Sequence, residues 1–107
     1  MALTRSYKLT IAEAAQRDPE FAQALLDEAA TLCLNGEPEL SRIILRDLVN
    51  ATVGFESLAK ETAKPSKSLH RMLSAHGNPS MDNLAAIFAV LRKGLGVDMQ
   101  VHGVPVA

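Results

Sequence analysis

The chain has 107 residues, a formal net charge of −1 at pH 7, and 48% hydrophobic against 21% charged residues, a globular balance that fits one domain and argues against disorder. A single cysteine excludes an internal disulfide and a cysteine-rich zinc site, no apolar run approaches a membrane span, and the opening MALTRSYKLT lacks the apolar stretch of a secretory signal. A reducing cytoplasm is the expected compartment, and with 4% aromatics, no Trp and abundant Ala and Leu the composition favours helices.

Thr10 is placed to cap a short helix over about 11–17. Asp18-Pro19-Glu20 is a stronger start: a carboxylate for free N–H groups, a proline suited to the first turn, and an acid that complements the helix dipole. Phe21, Leu25, Ala29 and Leu32 then recur at three- and four-residue spacing as a buried stripe, and Asn35-Gly36 ends the helix. The next helix is expected from Pro38 to Ala51, with Leu40, Ile43, Ile44 and Leu48 inward and Arg42, Arg46 and Asp47 mainly off the stripe. Thr52-Val53-Gly54 breaks it. Three shorter helices follow, over roughly 55–62, 66–74 and 81–93, the last capped by Ser80 and stopped near Gly94, with Gly77-Asn78-Pro79 as a compact turn. In the tail, Val97, Met99 and Val101 alternate with Asp98, Gln100 and His102, the period of a half-buried strand. A lone strand leaves its backbone unpaired, and the same strand of a second copy is the nearest partner.

Charge is unevenly spread. Residues 1–53 hold five Lys/Arg against eight Asp/Glu, and residues 54–93 hold six against three. Within 64–71, Lys64, Lys67, His70 and Arg71 occur with no acid. A small DNA-binding module could show that footprint, but charge alone reads first as an ordinary solvated helix face. Residues 55–74 have a helix-turn-helix pattern. Ala59 is small enough for a second helix to cross over it, Leu69 follows ten positions later to fill the space between the helices, and Leu58, Met72 and Leu73 complete the buried faces. The turn falls at 63–65. On the opposite side of the second helix lie Ser66, Lys67, His70 and Arg71, flanked by Ser68. Hydroxyls suit phosphates, and Arg or Lys reads guanine in the major groove; His70 is also placed to meet phosphate.

This order of elements, with the final apolar helix (Leu84, Ile87, Phe88, Leu91), resembles the five-helix repressor domain of lambdoid phages. Over about residues 5–102, and most specifically in LVNATVGFESLAKETAKPSKSLHRMLS and HGNPSMDNLAAI, the chain resembles the probable addiction-module antidote proteins, HigA-type antitoxins with a helix-turn-helix of the Xre/Cro class. The resemblance implies a transcriptional regulator that also neutralises a toxin encoded beside it, usually a small basic RelE/ParE-like protein. It implies a recognition helix starting at Pro65 or Ser66, with Ser66, Lys67 and Arg71 towards bases and Lys64, Ser68 and Asn78 near phosphates. The chain departs from the pattern at three positions: Ala63 stands where Gly is common, Phe55 where phage repressors often carry a polar phosphate contact, and Pro65 where a capping Ser or Thr is common.

Other residues carry less. Cys33 reads as plain core. His70, His76 and His102 are too scattered for a metal site, Ser66, His70 and Asp82 are not ordered as a nucleophile and base, and no glycine-rich phosphate loop is present. Neither an enzyme nor a cofactor is expected. Met72, Met81 and Met99 read as gap-filling core or interface. Glu13, Glu20, Asp27 and Glu28 form either a docking surface for a basic toxin or simply the outer face of the bundle. The expected architecture is mostly α: a five- to six-helix bundle with a lambda-repressor-like helix-turn-helix and a short C-terminal β-strand. Residues 1–36 supply N-terminal helices, 37–95 the DNA-binding core and 96–107 a dimerising strand, in one domain. The expected function is sequence-specific binding of double-stranded DNA by a homodimer, as antitoxin and autorepressor of a type II toxin-antitoxin module. Two rivals are a stand-alone repressor without a toxin and a protein-interaction module that has lost DNA binding.

Overall fold

A computed structural model describes residues 13–107, so Thr10 and the start of the first expected helix lie outside the described residues. Residues 13–17 are helical, and the Asp18 amide closes that turn onto the Ala14 carbonyl (2.8 Å). Helix α1 (Pro19–Leu34) begins as its sequence requires. The Asp18 carboxylate accepts from the amides of Glu20 (3.0 Å) and Phe21 (3.3 Å), and Pro19 takes a position where no N–H is needed. Gly36, at φ 85°, reverses the chain into α2 (Pro38–Ala51). Gly54, at φ 80°, opens α3 (Gly54–Thr62), and α4 (Ser66–Met72) and α5 (Met81–Leu95) complete a mostly helical protein.

The core is one continuous cluster. Leu26, Leu45, Leu48, Val49, Leu58, Leu69, Leu73 and Ile87 are fully buried, and Ala15, Phe55 and Leu91 nearly so. The α1–α2 pair forms the most extensive interface between elements. Its seam is rotated from the expected one. Ala22, Leu26 and Ala29 face inward on α1, with Phe21 and Leu25 on the flank; Ser41, Leu45, Leu48 and Val49 face inward on α2, and Leu40 is 49% exposed. Small side chains fit this rotation, because Ala29 and Ser41 let the two backbones approach where they meet. The Ser41 hydroxyl donates to the Ala29 carbonyl at 2.7 Å, so this buried polar atom is satisfied across the seam.

Two helix ends differ from expectation. α4 stops at Met72, where the Ser74 hydroxyl and amide both turn back to the Arg71 carbonyl. Gly77 packs against this end so closely that a Cβ there would run into the Met72 carbonyl oxygen. α5 continues through Gly94 to Leu95 and is capped by Gly96 at φ 68°. Gly94 is a packing glycine: a Cβ would come within 3.2 Å of Val53 Cγ1.

The expected C-terminal strand is not formed, and no described residue is in a strand. The two-residue alternation is nevertheless present, with Val97 and Met99 packed on the core and Asp98 and Gln100 exposed. A strand needs a neighbour for its backbone groups, and among the described residues of one copy the tail has none. Arg92 fixes where the tail leaves the bundle, donating to the Val97 carbonyl (3.3 Å) and pairing with Asp98 (2.9 Å).

Candidate nucleic-acid interface

The surface in question is presented by a tight connection. Thr62 Oγ1 donates to the Leu58 carbonyl at 2.7 Å in the last turn of α3. Ala63 then takes the left-handed conformation (φ 55°, ψ 40°), and the Lys64 amide reaches back to the Ala59 carbonyl at 3.1 Å. Pro65 restores an extended backbone (φ −64°, ψ 139°), and its carbonyl accepts from the amides of Ser68 and Leu69 (3.0 and 3.2 Å) to start α4. The chain therefore changes direction within three residues. Leu58 on α3 and Leu69 with Leu73 from the α4 side are fully buried, and Ala59 and Met72 pack beside them.

Seven residues are expected at this surface. Lys67, His70 and Arg71 are exposed, while Lys64, Ser66 and Ser68 are half-buried along the same short element and its approach. Among the described residues the Arg92–Asp98 contact is the only ion pair, so Lys64, Lys67 and Arg71 keep their charges available. Asn78 sits apart from the start of α4. It lies in the loop after that helix and lines a small hollow with Cys33, Pro38, Ser41 and Arg42.

His70 is not a free side chain reaching outward. Its ring stacks on Phe55, with centroids 3.8 Å apart and planes at 18°. Phe55 is only 6% exposed, so it forms a fixed platform at the start of α3 for a ring on α4. Phe55 thus has a packing role between α3 and α4.

Arg42 is a residue that sequence reasoning missed. Its Nε donates to the Ser74 carbonyl (3.0 Å) and its Nη2 to the Ala75 carbonyl (2.9 Å), which ties the segment following α4 to α2. Position 42 reads only as an off-stripe arginine, and its partners lie 32 and 33 residues further along; no local pattern announces them.

The remaining candidates fall as follows. Cys33 is half-buried at the rim of the hollow rather than in the core. Met72 and Met99 pack against the core, but Met81 is 85% exposed. Glu13, Glu20, Asp27 and Glu28 are all exposed. No group of three or more His, Cys, Asp or Glu among the described residues is placed to hold a metal ion, and no helix there is long and apolar enough to cross a membrane. Compared with protein-family models, with curated proteins and with solved structures, the chain matches none.

Proposed function

We propose that this chain is a sequence-specific, double-stranded-DNA-binding transcriptional regulator, acting as a homodimer through a helix-turn-helix of the lambda-repressor type formed by α3 and α4. One observation carries the reading: a short helix without acidic residues exposes Lys67 and Arg71, without an ion-pair partner among the described residues, beside the stacked ring of His70 and beyond a three-residue turn. Cations in that arrangement gain by replacing the counterions condensed on phosphates, and Arg and Lys can also read guanine edges. The role of antitoxin and autorepressor for a neighbouring basic toxin rests on the antidote-family resemblance. A protein-interaction module is the second reading, and the exposed apolar tail (Val101, Val104, Val106) favours it.

The test is a titration of the purified protein against the DNA upstream of its own reading frame, with a scrambled duplex as competitor, at two salt concentrations. Site-selective binding that weakens steeply with salt is expected. Arg71→Ala is expected to cost about 1–3 kcal/mol on the preferred site and much less on scrambled DNA. Equal, weak binding to both duplexes overturns the proposal in favour of the protein-interaction reading. An equal Arg71→Ala loss on both duplexes would assign that side chain to phosphate.

A further inference from the structure

The tail after α5 leaves apolar side chains uncovered. Val101, Val104 and Val106 are 68%, 76% and 96% exposed. Among the described residues, no backbone amide from Asp98 onward donates to a backbone carbonyl. An open hollow of about 600 Å³ lies between α1 and this tail, lined by Asp27, Thr31 and Leu34 on the helix and by apolar and polar tail residues alike, among them Met99, Gln100 and Val101. Side chains alternate along the segment: Val97, Met99 and Val101 carry the apolar face, while Asp98, Gln100 and His102 carry the polar one. The tail is not a strand in one copy, but it has the alternation and the unpaired backbone that an edge strand would bring to a neighbour.

We propose that residues 97–103 are completed by the same segment of a second copy, antiparallel, in the register that sets Gln100 against Gln100 of the partner subunit. The inference deepens the homodimer reading above and rests on it. The register follows from what each alternative would place opposite what. Residues directly opposite in an antiparallel pair share a face, so the two-fold axis must pass through a residue position if apolar is to meet apolar. Centred on Gln100, Met99 meets the partner's Val101, Val97 meets the partner's Gly103, and Asp98 meets the partner's His102. That last pair is complementary in charge or hydrogen bonding, and Asp98 has an open side: its carboxylate is 90% exposed even while paired with Arg92. Centred on Val101, Pro105 would enter the ladder opposite Val97, with no N–H to give. Centred on Met99, Gly96 would be drawn in, yet it is committed to the left-handed cap of α5. For a ladder of seven residues, the Gln100 register is the one that ends before both. It brings Val97, Met99 and Val101 of both copies onto one side, the side on which Val97 and Met99 already pack against the core. The Arg92 contacts to Val97 and Asp98 aim the strand before any partner arrives.

The experiment is a cysteine series in a Cys33→Ser background, with sedimentation of the unmodified chain alongside. Opposed residues in an antiparallel pair are about 4.5–5.5 Å apart at Cα, within disulfide range. Gln100→Cys is therefore expected to give a covalent dimer on mild oxidation. Met99→Cys and Val101→Cys are expected to stay uncrosslinked alone and to crosslink when mixed. Val101→Lys is expected to weaken self-association by more than about tenfold, because the charges would enter the apolar face of the ribbon; unchanged helical circular dichroism would show the bundle intact. A monomeric wild-type chain overturns the inference, as does a tail occupied by another segment of its own chain. So does efficient crosslinking of Met99→Cys with itself, or a dimer indifferent to Val101→Lys. The DNA titration is read separately. Selective DNA binding by a monomer would remove this inference and leave the regulator, whereas a tail-paired dimer blind to DNA sequence would do the reverse.

Discussion

Ala63 holds the left-handed conformation that lets α3 and α4 join in three residues. An L-residue there costs roughly 1–2 kcal/mol relative to a right-handed one, and glycine would avoid most of that while adding freedom to the unfolded chain worth about 0.4–1 kcal/mol. Ala63→Gly is thus expected to stabilise the protein by about 1 kcal/mol. Urea unfolding checks it, and a lowered midpoint would show that the turn favours alanine. The same scale explains the changed reading of His70. With one face on Phe55, its ring is held in place, and only its edge and other face remain for a ligand. The stack is a contact between α3 and α4 that no spacing rule connects.

At the level of elements, what was legible is what is local. Asp18 and Ser80 cap α1 and α5 through their own side chains, and Gly36 ends the first long helix, all within a few residues of the pattern that announces them. The basic face of α4 is likewise a matter of three- and four-residue spacing. Gly94 and Gly96 offer two stops for α5; Gly94 stays helical and packs beside Val53 from another part of the chain, and Gly96 takes the left-handed cap. Spacing picks out the bulkiest apolar residues for the seam between α1 and α2, whereas the buried face also uses Ala22, Ala29 and Ser41, with Ser41 bonded to Ala29 across it. Arg42 shows the same limit in the candidate site. Arg42→Met keeps the aliphatic stem and removes both hydrogen bonds to the Ser74 and Ala75 carbonyls. We expect it to cost about 1–2 kcal/mol of stability, given that the group is partly solvated. We also expect it to weaken DNA binding beyond that of a distant variant of equal stability. Equal binding by the two variants would reduce Arg42 to a purely structural tie.

On the scale of the molecule, a near-neutral chain holds an acidic N-terminal half beside a basic middle. The DNA binding proposed above would then draw on the local field around α4 rather than on net charge. The uneven distribution of contacts has another consequence, in the order of assembly. α1 and α2 are sequence neighbours with the broadest interface, whereas the seven residues of α4 pack mainly on α3 and are tethered from below by Arg42. Local pairings close with little loop entropy, so the α1–α2 hairpin is positioned to form first and to open last. Native-state hydrogen exchange should find the slowest amides around Leu26, Leu45 and Leu48, and find α4 opening at a distinctly lower free energy. Uniform protection across all five helices would mean instead that the bundle forms in one cooperative step. A helix that opens ahead of its scaffold would fold fully only against what it binds, and its affinity would then include the free energy of that last closure.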